Sequence, residues 1–287
     1  MEQFGMSRQL RLPGQQKDRF WRAVVLCALT AAVFFLPFYI MDGGFFHYAG
    51  DFNSQQISFY RYMNGFLKGA GYPDSTFAGA PHNTFSWATD LGSGAMNAYS
   101  FYLYGSPFFW FSLLFPQRWL PYLMVPLLVL KFGVAGGGAY LYLKRYVKNW
   151  DYAVLGACLY ALSGFAVYNV FFNHFVDVVA LFPYLLWALD EAVLENRKAL
   201  LPVLLAVNLV NNYFFFAGQA VFLIIYFVWK AVRGEYRLRT GLFFRLAFET
   251  VLGCAMGCVL LVPAVSFLLG NPRTVDPASG FGFLIYS

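Results

Sequence analysis

Apolar runs about as long as a bilayer is thick recur seven times along this chain, and that repetition restricts its fold more than any other feature. A hydrocarbon core of about 30 Å needs about 20 apolar residues of helix. The runs at 23–41, 121–143, 152–172, 178–194, 199–213, 214–231 and 246–269 meet or approach that length. Hydrophobic residues make up 60% of the chain and charged residues 12%, and 34 Phe with 20 Tyr exceed what a soluble domain of this length could hide in one core. The expected fold is therefore all-α and membrane-embedded, with about seven transmembrane helices. The stretch 199–229 is too long for one span and short for two, and Asn208, Asn211 and Asn212 mark where it turns.

The first run, 23–41, follows a polar, basic leader (residues 1–22). It is too long for a signal-peptide core and lacks a small-x-small cleavage site, so it stays as an uncleaved first span. Formal net charge is +6, but the cations gather in short clusters between apolar runs, the pattern of a topology signal rather than of a nucleic-acid surface. The segment 97–116 is apolar enough to be an eighth span. If it crossed, every later loop would invert, and the cations between Lys144 and Arg245 would be exported, against the positive-inside rule. The segment is accordingly expected to lie along the outer surface, broken at Ser106-Pro107. The N-terminus is then cytoplasmic, as suits a multi-pass protein of the bacterial cytoplasmic membrane.

This topology gives a seven-helix unit over 23–269 with a long external loop at 42–120, a length usually associated with function. Within the loop, Ile57, Phe59, Tyr60, Met63, Phe66 and Leu67 recur at helical spacing, while Arg61 and Lys68 share the opposite face. That is an interfacial amphipathic helix. The polar tail 270–287 has no terminating feature, and the chain is expected to be the first module of something longer. Cys27, Cys158, Cys254 and Cys258 all fall in apolar runs without a CxxC pair, so they read as packing residues.

Asp51 is the leading candidate for chemistry, being an acid just past the first span where burial near lipid needs a role or a partner. Two roles are open to it: a helix cap ahead of the interfacial helix, or a catalytic base. Asp177, in Asn173-His174-Phe175-Val176-Asp177, falls in the expected external turn between the third and fourth spans, where a cap is again the plain alternative. Two acids at one membrane surface could hold a divalent cation, Mg or Mn, or divide base and orienting roles, with His174 as a third member. Arg61 and Lys68 would meet phosphate at headgroup depth, and attraction to anionic lipid explains them nearly as well. His47 and His82 lack metal-ligand spacing. Lys131, near mid-membrane by residue count, needs a partner, and Glu249 lies too far toward the cytoplasmic end to supply it. The run Gly133 to Gly138 reads as close helix packing. No P-loop, nucleophile elbow or HExxH is present, so ATP hydrolysis and conventional hydrolase chemistry have no residues here.

In order and placement, six short motifs resemble the bacterial YfhO-type membrane proteins, and more broadly the GT-C glycosyltransferases. They are Gly50-Asp51-Phe52 with Gln55 and Gln56, Trp87-x-x-Asp90-Leu91-Gly92, Tyr104-Gly105-Ser106-Pro107-Phe108, Lys131 with the glycines after it, Ala161-Leu162-Ser163-Gly164-Phe165, and Ala180-Leu181-Phe182-Pro183. The resemblance spans nearly the whole chain. It implies a GT-C-like module that takes a sugar from a polyprenyl-phosphate donor and passes it to a cell-envelope acceptor, such as teichoic acid, on the outer face. It implies Asp51 as general base, Asp177 orienting the acceptor or sharing a metal, and Arg61, Lys68, Gln55 and His174 at the substrate or its phosphate. The rival reading is a transporter or lipid flippase working through Lys131 and the glycine-broken second span, although transporters usually show internal repeats and none is evident. A scaffold subunit for other envelope proteins is the third.

Overall fold

The computed structural model describes residues 17–68, 85–86, 89, 93–237 and 239–269. The leader up to residue 16, His82, most of the Trp87–Gly92 motif and the tail 270–287 lie outside the described residues. Within them the protein is essentially all helical, apart from a two-stranded antiparallel bridge of β1 (Phe85–Ser86) and β2 (Ser93–Gly94).

Helix α1 (Phe20–Met41) is followed by a π-helical turn, Phe52–Ile57, that runs into α2 (Ser58–Leu67). The next stretch is broken into short pieces: α3 (Ala95–Tyr99), a second π-helical turn (Ser100–Tyr104) and α4 (Pro107–Ser112). Then come α5 (Leu120–Leu143), α6 (Trp150–Ala161), the short α7 (Gly164–Tyr168), α8 (Asn173–Leu194), α9 (Leu200–Asn211), α10 (Tyr213–Val232) and α11 (Thr240–Leu269). Among the described residues, five helical stretches are long and apolar enough to cross a membrane: α1, Gln117–Leu143, Trp150–Phe171, α10 and Thr240–Ser266. Helix α8 matches α1 in length but carries Asp177, Asp190 and Glu191, all buried. Helix α9, at 12 residues, is only about 18 Å long at 1.5 Å per residue.

Helix α5 is the centre of the bundle, packing on α1, α6 and α8, while α9 joins α8 to α11. The glycines of α5 allow this closeness. A methyl group on Gly138 would meet the Tyr184 ring at 2.6 Å, and one on Gly136 would overlap Cys27, as expected where small residues let helix backbones approach. The chain turns between α9 and α10 at Asn212, whose side-chain oxygen accepts from the Phe215 amide at 3.1 Å and so caps α10. The asparagines therefore mark the turn as the sequence predicts.

The segment 97–116 contains no span-length helix, in keeping with its exclusion as a crossing, and part of it packs into the protein. Ser106, Phe108, Phe109 and Ser112 are buried, and Gly105 sits directly against the Val210 carbonyl near the end of α9. Hydropathy and charge counting place a segment on one side or the other; they have no means of seeing a short broken helix dip into a bundle beneath a shortened neighbour.

The opposite ends of the helices form a charged layer. Arg19 and Arg22 pair with Asp151, Lys144 with Asp18, Arg145 with Glu191 and Glu195, Arg197 with Glu191, and Lys230 and Arg233 with Glu235. These contributors come from the α1, α6 and α9 starts and the α5, α8 and α10 ends, as an alternating bundle requires.

Candidate functional site

Asp51 stands at the head of the first π-helical turn, half-buried, directly after Gly50, whose φ is +94°. Its carboxylate makes no capping bond to the helix; instead Oδ1 accepts from the Gln55 amide at 3.2 Å. The π-helical pitch brings residues into positions an α-helix would not, a device common at functional sites. Here it leaves Gln56 fully buried, with Oε1 3.3 Å from His174 Nδ1. If that contact is a hydrogen bond, Nδ1 donates and Nε2 is left as an acceptor. His174 Nε2 and Gln56 Nε2 are both buried without a hydrogen-bond partner, and the Phe101, Tyr102 and Phe175 rings stand edge-on around the imidazole.

Asp177 lies inside α8 rather than in a turn; the turn ends at Phe172, so neither Asp177 nor His174 caps the helix from outside. Lys131 Nζ is 2.5 Å from Asp177 Oδ1, with both side chains almost wholly sealed from solvent. The same ammonium donates to the Asn173 side-chain oxygen at 2.6 Å and to its backbone carbonyl at 3.0 Å. Ser106 donates to the other carboxylate oxygen of Asp177. The Tyr60 hydroxyl of α2 lies against Ser106 and Asn173; burial, and then the charge of Asp177, hold that phenol well above its ordinary pKa, so it is neutral. One node thus fastens α2, the start of α4, α5 and α8 together.

Lys68 donates to the Phe115 carbonyl at 2.6 Å, and Asn64 donates to the Ser112 and Phe115 carbonyls at 3.4 and 3.3 Å. Gln117 in turn donates to the Arg61 carbonyl at 2.9 Å. The polar side of α2 is therefore engaged with the chain after α4, and the half-buried Arg61 side chain has partners of its own.

The fold thus brings Gln55 to Asp51, and the residue after Gln55 to His174. It gives Asp177 a cation and a hydroxyl rather than a second acid, and no group of three His, Cys, Asp or Glu side chains among the described residues could hold a metal ion. Sequence reasoning missed three participants: Lys131 as the partner of Asp177, Ser106, and Gln56 as the link to His174. The signal for Lys131 is present, because a buried lysine needs a counter-charge, but Asp177 reads as a turn residue, whereas α8 starts at Asn173 and carries it inside the bundle.

A second buried polar cluster occupies the charged end of the bundle. Asp190 accepts from Tyr226 at 3.1 Å, from Tyr236 at 2.6 Å and from Tyr146. Lys230 bridges Tyr146 and Glu235.

Residues 23–284 match the family model described as bacterial membrane protein YfhO. Neither a curated protein nor a solved structure matches the chain.

Proposed function

This chain belongs to the YfhO family of bacterial membrane proteins, and from that premise we propose that it is a glycosyltransferase of the outer membrane face. The donor is a polyprenyl-phosphate sugar and the acceptor a hydroxyl of a cell-envelope polymer such as teichoic acid. In this reading seven helices cross the cytoplasmic membrane in GT-C fashion, the five apolar ones with α8 and α9. Residues 95–105 complete the short α9 on the outer side. The charged layer faces the cytoplasm, as the positive-inside rule asks.

The observation that carries the proposal is the setting of Asp51: half-buried, oriented by the Gln55 side chain, at the head of a turn whose Gln56 reaches His174 of α8. A lipid phosphate is already a good leaving group, so an enzyme need only position the partners, activate the nucleophile and stabilise the departing charge. Asp51 takes the proton of the acceptor hydroxyl as its oxygen attacks the anomeric carbon. The bond from that carbon to the phosphate oxygen breaks, and polyprenyl phosphate leaves with the electron pair. Attack opposite the leaving group inverts the anomeric configuration. Arg61, at headgroup depth on α2, and Lys68 beyond it offset charge on the phosphate. Asp177 acts through the fold, with Lys131 and Ser106 fixing the start of α8 and with it His174. Both oxygens of Asp177 have partners, so the steps above are assigned without a Mg or Mn ion between the two acids.

The test is Asp51→Asn in the full-length protein, assayed for transfer from a polyprenyl-phosphate sugar in membranes. Loss of a positioned general base should cost about 10²- to 10⁴-fold in rate, and transfer at the wild-type rate would exclude Asp51 as base. The orientation is tested separately: a cysteine at position 51 should react with an impermeant maleimide added outside intact cells.

A transporter or flippase is the second reading, favoured by the buried Lys131–Asp177 pair. Against it, Lys131 is held by three acceptor atoms, a closed arrangement that suits an anchor better than a charge that must change partners during transport.

A further inference from the structure

Two buried side chains at the candidate site each keep an unpaired polar atom, and the two side chains touch. Gln56, fully buried, and His174, 4% exposed, meet through Oε1 and Nδ1 at 3.3 Å, and Nε2 of each is left without a hydrogen-bond partner. Sealing such atoms away unpaired is costly, and each instance calls for an occupant or a role. What the pair asks of an occupant does not depend on which way the contact is made. If Nδ1 donates to Oε1, the imidazole Nε2 is left to accept and the amide Nε2 to donate. If the amide is turned so that its nitrogen donates to Nδ1, the ring carries its proton on Nε2, and an imidazole donor and an amide acceptor are left instead. The imidazole, ringed edge-on by Phe101, Tyr102 and Phe175, is neutral in such surroundings. One donor and one acceptor therefore remain in either case. A phosphate oxygen only accepts and would leave one of them unanswered, whereas a hydroxyl does both.

We infer that Gln56 and His174 hold a non-reacting hydroxyl of the donor's sugar ring, and so select a neutral, hydroxylated sugar over one that lacks the hydroxyl at that position. The inference rests on the transferase reading above and deepens it by naming the side chains that read the sugar. Placement supports it. A π-helical turn pairs residue i with i+5, which sets Gln56 one turn from Asp51, while the adjacent Gln55 holds the Asp51 carboxylate at 3.2 Å. A ring seated against Gln56 is thereby close to the base. Asp51 takes the proton of the acceptor hydroxyl, so the hydroxyl at Gln56 and His174 belongs to the donor. Only one layer of rings covers the imidazole on that side: Phe101 and Tyr102 are themselves half-buried and belong to the π-helical turn Ser100–Tyr104. Turning one of them aside opens the pair. The rings then supply apolar walls for the C–H face of a sugar, with a few polar groups fixing its orientation.

Selectivity among deoxy sugars supplies the test. Purified full-length protein in nanodiscs is titrated with polyprenyl-phosphate glucose and with analogues that each lack a different ring hydroxyl, bound lipid being counted by native mass spectrometry. The wild type should bind one analogue about tenfold or more weaker than the parent, because that analogue leaves both buried atoms unpaired. The double variant Gln56→Leu, His174→Phe should bind that analogue and the parent alike. Replacing both partners by apolar side chains removes the two unpaired atoms together, so its unfolding temperature should match or exceed that of the wild type, and the lost selectivity is not a lost fold. Gln56→Asn, which keeps the amide but draws it back by one methylene, should lose the same selectivity. Equal binding of all the analogues by the wild type would mean that the pair holds water only, and unchanged selectivity in both variants would mean that the hydroxyl is read elsewhere. Either result overturns the inference. The transferase reading fails separately: selective binding with no transfer of the sugar removes that reading and keeps the sugar site, while transfer by the wild type without discrimination removes the sugar site alone.

Discussion

Lys131 of α5 and Asp177 of α8 form an ion pair of 2.5 Å sealed inside the bundle, and the segment before α4 reaches the same carboxylate through Ser106. Two charges taken out of water gain little net stability from each other, but either one left alone is costly. The pair is therefore better understood as a register device: it fixes which turn of α8 faces which turn of α5, and with it the height at which His174 meets Gln56.

Removing one partner should consequently harm the protein more than removing both. Lys131→Met or Asp177→Asn alone should each destabilise by about 3–5 kcal/mol, seen as a large drop in thermal unfolding temperature in detergent. The double variant should recover most of the loss. Equal losses in the singles and the double would mean that the charges are independent.

Gly105 should tolerate nothing larger. A methyl group there would be driven into the Val210 carbonyl, and backbone cannot swing aside as the end of a long side chain can. Gly105→Ala should separate this segment from α9, exposing buried groups between Leu103 and Ser112. The readout is protease cleavage in that segment, absent from the wild type. Gly218→Ala, with space around it, should be neutral or gain up to about 1 kcal/mol from helix propensity.

What could be read from residue order was whatever depends on local patterning. The apolar runs, the turn at Asn212, the amphipathic face that buries Tyr60 and Met63, and an acid just past the first span are all properties of neighbouring residues. The site's internal connections are not. Gln56 and His174 are 118 residues apart, and nothing in either segment specifies the other. Lys131 has no legible partner because Asp177 reads as a turn residue in sequence and only the fold places it inside α8. Charge counting says which side of a membrane the segment 97–116 lies on, but it cannot register Gly105 lying on the Val210 carbonyl.

The tyrosine cluster on Asp190 should give the protein an alkaline limit. Burial first, and then the negative charge of Asp190, push the Tyr236 phenol far above its ordinary value. In the unfolded chain that phenol ionises near pH 10, while in the folded protein it keeps its proton to donate to Asp190. A raised folded-state pKa means that the contribution is complete below about pH 10 and declines as pH rises through the interval above it. Unfolding temperature should therefore fall as pH rises above about 10. Tyr236→Phe should lower stability at neutral pH by about 1.5–3 kcal/mol, the worth of a hydrogen bond to a charged group, and should flatten the alkaline decline. An unchanged slope in the variant would assign the decline to other groups.

Gly50 should control Asp51 without touching a substrate. Its φ of +94° is a conformation that side-chain-bearing residues adopt only under strain, and a Cβ there would lie 2.6 Å from the Phe171 ring. Gly50→Ala faces two penalties: a backbone cost of about 1–3 kcal/mol, and displacement either of Phe171 or of the turn that begins with Asp51. Phe171→Leu in the same chain should relieve only the second. If Asp51 is the base, Gly50→Ala should reduce the rate of sugar transfer, because the carboxylate moves relative to the acceptor. The double variant should regain part of that rate. A Gly50→Ala protein with wild-type transfer and merely a lower unfolding temperature would show that the position of Asp51 is not set by the residue before it.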